Sequence, residues 1–212
     1  MQHKIEQITI NKHYILKSNL KILVIMEEKR QLIKKWVNDH FSGKYKVLFT
    51  DDDEIIIDGN IFLTDYTLEE LEYKFAEVCG DFWIAGEKFP GEGQVGYRSI
   101  KTLKNCPEKV KGSFSCHGNQ NLKSLDGGPK IVGNDYICTA CGLETLNGLA
   151  TEIGGYLTAY NNHNLKDISA IEHSEIHNYI DLEFADESVF KSPLYKKLYE
   201  NNRVLNVKYR EF

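Results

Sequence analysis

The chain has 212 residues, with 26 basic and 31 acidic side chains, a formal net charge of −5 and 42% apolar residues. Aromatics at 11% argue against disorder, no run nears the ~18 apolar residues of a membrane helix, and five cysteines are too few and odd in number for a disulfide framework. The first residues lack the apolar core of a signal peptide, so the expected location is the cytoplasm, with reduced thiols.

Charge divides the chain. Residues 1–47 carry ten Lys or Arg and four Asp or Glu, residues 48–190 carry ten and twenty-five, and residues 191–212 carry six and two. The acidic middle lacks the clustered Lys and Arg that a phosphate backbone requires, so no DNA is expected there and a basic protein partner is. Residues 1–47 read as a basic α/β cap. Ile5–Ile10 and Tyr14–Ile25 have the β-branched, apolar look of strands. Met26–Phe41 follows with Met26, Leu32, Ile33, Trp36, Val37 and Phe41 at helical spacing, and Gly43 stands just past it as a stop.

Residues 48–187 repeat. Leu103, Leu125, Leu146 and Ile168 are spaced by 22, 21 and 22 residues. Seven residues after the first three stand Val110, Val132 and Ile153; four further on come Phe114, Tyr136 and Leu157; then Cys116, Cys138 and Ala159; then Asn119, Cys141 and Asn162. Leu71, Val78, Phe82 and Ile84 begin the same series, Ile57, Ile61, Leu63 and Leu68 precede it, and Ile176, Ile180 and Leu182 extend it, giving about six coils. Apolar residues two apart in each coil mark a short strand with one buried face. Clustered turn residues such as Asp126-Gly127-Gly128-Pro129 exclude long helices. Each coil then holds one strand, a turn and a short return, and buries its apolar edge only by stacking on its neighbours. The column of Asn119, Cys141 and Asn162 is suited to satisfying backbone groups that a turning chain leaves inside. Lys88–Arg98, with one Pro and three Gly, reads as a loop inserted between coils. Residues 188–212 read as a second cap: a helix from Ser192-Pro193 to Glu200, then a strand-like Val204–Tyr209.

The runs Phe114-x-Cys116-x-x-Asn119, Tyr136-x-Cys138-x-x-Cys141-x-Leu143 and Leu157-x-Ala159-x-x-Asn162 resemble the leucine-rich-repeat pattern L-x-L-x-x-N/C-x-L. Two coils carry one extra residue, before Leu122 and Leu165, so the match is a variant, and Glu87 and Tyr66 at the Asn position leave the inner column incomplete in the earlier coils. The stretch from Leu103 through Cys106-Pro107, Val110, Gly112 and Phe114 to Cys116 is similar to a short Cys-Pro/Val-Gly-Gly-Asp-Phe type of repeat found in proteins of tailed bacteriophages and their bacterial hosts. The resemblance implies an α/β, β-rich, leucine-rich-repeat-like solenoid with short parallel strands and N- and C-terminal α/β caps. It carries over no catalytic residue.

Cys138-x-x-Cys141, with Cys116, His117 and His163 near it in the repeat, invites a zinc site, but packing and the inner column account for the three cysteines. Asp51-Asp52-Asp53-Glu54 lacks the alternating spacing of a calcium loop and reads as a solvated turn. No P-loop, nucleophile elbow or zinc-protease motif occurs. The expectation is a protein that is not an enzyme and holds no cofactor or metal; a metal-dependent enzyme is the different-class alternative.

What remains is a surface. The strand phase turns outward Asn60, Phe62 and Thr64; Asp81, Trp83 and Ala85; Ser113, Ser115 and His117; Asp135, Ile137 and Thr139; Tyr156, Thr158 and Tyr160; and Tyr179, Asp181 and Glu183. Apolar and aromatic side chains among acids and hydroxyls are the composition of a binding face. The expected partner contacts are Phe62, Trp83, His117, Asp135, Ile137, Tyr156, Tyr160, Tyr179 and Asp181, joined from the inserted loop by Phe89, Tyr97 and Arg98. The functional expectation is a non-catalytic protein-binding solenoid. With the phage-like repeat, it sharpens to a phage-encoded protein that binds and inhibits or redirects a host protein, such as a defence effector, in the host cytoplasm. A virion or assembly component and a bacterial interaction module are the competing readings, and the basic caps offer a route to homo-oligomers.

Overall fold

The computed structural model describes residues 2–65, 67–84 and 100–205, with side chains from residue 20 onward. The chain divides into two compact units, Met1–Asp39 and His40–Phe212.

The first unit is one helix, α1 (Gln2–His40). The strands expected at Ile5–Ile10 and Tyr14–Ile25 are absent, and the helix expected to begin at Met26 begins at Gln2. The reason is visible in the sequence. No Gly occurs before Gly43 and no Pro before Pro90, so nothing interrupts a helix. Ile5, Ile8, Ile15, Ile22, Met26 and Ile33 share a three-to-four spacing, and that period outweighs the strand preference of single β-branched residues.

The second unit opens with β1 (Phe41–Phe49) and β2 (Ile55–Leu63), an antiparallel hairpin in register from Phe41↔Leu63 to Phe49↔Ile55. Asp51–Glu54 lies in its tight turn, closed by Asp53 N–H to Thr50 O (3.2 Å) and Glu54 N–H to Thr50 Oγ1 (3.0 Å). Beyond the hairpin each coil contributes two short parallel strands, not one. They are β3 (Phe75–Val78) and β4 (Phe82–Trp83), β5 (Lys109–Val110) and β6 (Phe114–Ser115), β7 (Ile131–Val132) and β8 (Tyr136–Ile137), β9 (Glu152–Ile153) and β10 (Leu157–Thr158), and β11 (Glu175–Ile176) and β12 (Ile180–Asp181). The odd-numbered strands stack in one parallel ladder and the even-numbered in another. Both ladders meet at β2, which pairs Ile57↔Val78 with β3 and Ile61↔Phe82 with β4. The unit is a parallel β-solenoid of five coils, and the hairpin stands where a sixth coil was expected.

The repeat columns are the core. Leu71, Leu103, Leu125, Leu146 and Ile168 are buried, as are Val78, Val110, Val132, Ile153 and Ile176. Phe41, Phe75, Phe82, Phe114 and Tyr136 form a continuous aromatic spine with successive ring centroids 4.9–6.0 Å apart. Each coil turns in part through left-handed backbone. One corner recurs as Asn105, Gly127 and Gly148, with φ of 67°, 84° and 86°. The other recurs as Gly118, Ala140, Asn161 and Phe184, with φ of 80°, 51°, 60° and 61°. Inside the second corner Asn119 Nδ2 donates to Ile84 O (3.0 Å) and Cys116 O (2.7 Å), and Asn162 Nδ2 donates to Cys138 O (2.9 Å) and Ala159 O (2.8 Å). Cys141 Sγ lies 3.1 Å from Cys116 O in the same column.

After the last coil come α2 (Glu187–Lys191) and α3 (Pro193–Glu200), the second capped by Ser192 Oγ accepting from Tyr195 N–H at 3.1 Å. Val204 then bridges Ile180 in parallel, and the Arg203 guanidinium donates to Ile176 O. Val204 begins the strand-like stretch expected at Val204–Tyr209; residues from 206 on lie outside the described residues.

Candidate binding face

The even-numbered ladder carries the outward residues in three rows. The middle row is in register from Phe62 to Trp83, Ser115, Ile137, Thr158 and Asp181, one residue per rung. At about 4.8 Å per rung this is a straight file.

The row before it serves the fold from the hairpin through the first three coils. Asn60 Oδ1 accepts from Asp81 N–H (2.9 Å), Asp81 Oδ1 from Ser113 N–H (2.8 Å), Ser113 Oγ from Asp135 N–H (3.4 Å), and Asp135 Oδ1 from Tyr156 N–H (2.9 Å). These four side chains form a polar ladder that ties each coil to the next. The preceding residue obeys it. A Cβ on Gly80, Gly112 or Gly155 would come within 2.1–2.3 Å of Asn60, Asp81 or Asp135 Oδ1. Where the residue one coil earlier is Ser113 or Tyr156, Asn134 and Asn178 are admitted instead. Asp135, expected as a partner contact, therefore commits one oxygen to the backbone and is half-buried.

The last two coils depart from the pattern. Tyr156 and Tyr179 stand where an acceptor would, 44% and 47% exposed, with rings stacked at 6.5 Å. In the third row Tyr160 meets Phe184 edge-on at 5.5 Å, and His163 lies 6.2 Å from the same ring. Phe184 is not among the residues expected on this face. It occupies the left-handed corner that Gly118, Ala140 and Asn161 fill in earlier coils, and it is 45% exposed. A bulky side chain there costs roughly 1–2 kcal/mol. Its misfit to that repeated position is the signal that register alone reveals. Asp181 and Glu183 stand beside these rings, with Asp181 Oδ1 accepting Glu183 N–H at 3.0 Å.

The rest of the expected face sorts differently. Phe62 and Trp83 meet at 5.6 Å and are half-buried, as are His117 and Ile137. Ser115, expected outward, is buried at 2% exposure. The aromatic residues thus form two clusters, Phe62 with Trp83 and the tyrosines with Phe184, separated by the Ser115 and Ile137 rungs. Phe89, Tyr97, Arg98 and Ala85 lie outside the described residues.

Among the described residues no group of three or more His, Cys, Asp and Glu is placed to hold a metal ion. Cys106, Cys116, Cys138 and Cys141 are buried, and Cys79 is half-buried. Burial pushes the Cys106, Cys116 and Cys138 thiols well above their ordinary range, which suppresses the reactive thiolate. In the native protein Ellman's reagent is accordingly expected to titrate Cys79 rapidly, and the other four thiols only on unfolding in denaturant.

Fold and face together define a parallel β-solenoid with an exposed aromatic and acidic end. No protein-family model, curated protein or solved structure matches the chain. No helix among the described residues is long and apolar enough to cross a membrane.

Proposed function

We propose that the chain is a non-catalytic, leucine-rich-repeat-like binding solenoid, held between terminal caps, whose last two coils grip a basic protein partner. The single observation that carries this reading is the break in the polar ladder. The hairpin and the first three coils place Asn, Asp or Ser where the next coil's backbone N–H needs an acceptor, and the last two coils place exposed tyrosines there. Exposed rings on a rigid scaffold, paired with a strained Phe184, are costly to the free protein and suited to a hot spot.

Charge supports the partner's sign. Residues 134–187 contain ten Asp or Glu and one Lys. Arg and Lys side chains of a partner gain both from these carboxylates and from the faces of Tyr156, Tyr179 and Tyr160. The resemblance of Leu103–Cys116 to repeats of phage and bacterial proteins supports the narrower proposal. In that form the protein is phage-encoded and binds, and so inhibits or redirects, a host protein such as a defence effector in the host cytoplasm.

The test is affinity capture from a bacterial lysate with the full chain and with a Tyr156→Ala, Tyr179→Ala double variant. The wild type is expected to retain a basic protein that the double variant loses, while far-ultraviolet circular dichroism is unchanged because neither ring is buried. Equal capture by both proteins would show that binding runs through another surface.

A further inference from the structure

We propose that Cys79 and Lys111 form a peroxide-driven, thiol-reversible covalent bridge between the first two coils, a bond from Cys79 Sγ to Lys111 Nζ. The inference rests on the odd-numbered ladder and is independent of the reading of the binding face.

The ladder sets the two side chains next to each other. β3 and β5 pair Glu77↔Lys109 and Val78↔Val110, so Cys79 and Lys111 follow on neighbouring rungs about 4.8 Å apart. Both backbones are held there, Cys79 N–H by Ile57 O (2.8 Å) and Lys111 N–H by Val78 O (2.9 Å). The side chains then meet. Lys111 Nζ donates to Cys79 Sγ (3.4 Å) and to Glu77 Oε1 (2.7 Å), and the Cys79 thiol donates to the same carboxylate oxygen at 3.8 Å. Joining Sγ to Nζ needs a side-chain rotation and no movement of either strand. In the later coils this column continues as Gly133, Gly154 and His177, so the thiol and the amine are paired at one rung.

Access separates this thiol from the rest. Cys106, Cys116, Cys138 and Cys141 are buried, Cys79 is half-buried, and the Lys111 side chain is half-exposed. Hydrogen peroxide is the oxidant. The Cys79 sulfur attacks one peroxide oxygen, the O–O bond breaks, and a sulfenic acid and one water form. Sulfenic acids condense with a neighbouring nitrogen. Here the neutral Lys111 amine attacks the sulfur, the S–O bond breaks, and the hydroxyl leaves with a proton from Nζ as a second water. Sulfur ends two electrons more oxidised, peroxide is reduced to water, and the protein has lost two hydrogens. Glu77 is placed to receive the proton that Nζ gives up. Its hydrogen bond with Lys111 also favours the ammonium and raises the amine's pKa, so bridging is expected to quicken as pH rises and frees the amine. A dithiol reverses the bridge by attacking the sulfur, releasing the amine and closing its own disulfide. The bridge thus holds Cys79 at a reversible level, short of sulfinic acid.

The experiment is hydrogen peroxide treatment of the native full chain, followed by intact and peptide mass spectrometry. The expected product is lighter than the untreated chain by two hydrogens and gives a joined peptide containing Cys79 and Lys111. Dithiothreitol should reverse both changes. Lys111→Arg keeps a cation beside Glu77 and offers no amine nucleophile. It is expected to lose the joined peptide and to yield a dimedone-trapped sulfenic acid at Cys79, with far-ultraviolet circular dichroism unchanged because the side chain is on the surface. Wild-type oxidation that ends in dimedone-reactive sulfenic acid, sulfinic acid or a Cys79–Cys79 dimer, with no joined peptide, overturns the proposal. A loss of two hydrogens that persists in Lys111→Arg overturns it too, because Cys79 would then be bonded to another group.

Discussion

Replacing Phe114 with alanine is expected to lower the unfolding free energy by about 3–5 kcal/mol, the cost of emptying a fully buried aromatic position. Phe114 is the middle link of the aromatic spine, with Phe82 at 6.0 Å on one side and Tyr136 at 4.9 Å on the other. A coil in a solenoid touches only its neighbours, so the cavity weakens two interfaces at once. Domains of this size hold only about 5–15 kcal/mol in total, so the loss is a large fraction of it. Equilibrium urea unfolding checks the result in two ways. The midpoint should fall, and the slope should fall as well if the coils on either side of the cavity begin to unfold separately. A midpoint within error of wild type would show that the spine is not a continuous core.

The second large effect is expected at Asn162. Alanine there removes both amide donors, leaving Cys138 O and Ala159 O without them, and removes the oxygen that accepts Leu143 N–H at 3.4 Å. Each buried group left unsatisfied costs about 1–3 kcal/mol, and the three geometries are unequal, so a total of roughly 2–4 kcal/mol is expected. Cysteine at the same position should cost less than alanine. Cys141 fills this column one coil earlier and keeps its sulfur 3.1 Å from Cys116 O. The order wild type, then Asn162→Cys, then Asn162→Ala in urea midpoint is the expected outcome. Equal midpoints for the two variants would mean that the column fills space and bonds little.

Much of the solenoid was legible because its period is carried by side chains that must be buried in every coil. The leucine, valine and aromatic columns and the inner Asn119, Cys141, Asn162 column all sit where their spacing put them. The second strand of each coil was not legible. Two residues such as Lys109–Val110 are too short to show alternation, and only their pairing with Ile131–Val132 defines them. The hairpin that replaces the first expected coil keeps the same apolar phase at Ile57 and Ile61, so the sequence pattern cannot distinguish it from a coil. In α1 the β-branched residues argued for strands, and the helical period decides because no Gly or Pro intervenes. On the face, an outward Asp or Asn looks alike whether it waits for a partner or holds a backbone N–H of the next coil. Asn60, Asp81, Ser113 and Asp135 proved to do the latter, and that is what isolates Tyr156 and Tyr179.

The last rung of the solenoid has a consequence for solubility. A stack of parallel strands ends in a row of unpaired amides and carbonyls, an adhesive template onto which another molecule can add end to end as a fibre grows. Here the Arg203 guanidinium takes up Ile176 O on one ladder, and the backbone on either side of Val204 exchanges bonds with Ile180 on the other, 2.9 and 3.0 Å long. Three residues thus stopper both growing edges of a fold whose geometry is otherwise that of an open-ended fibril.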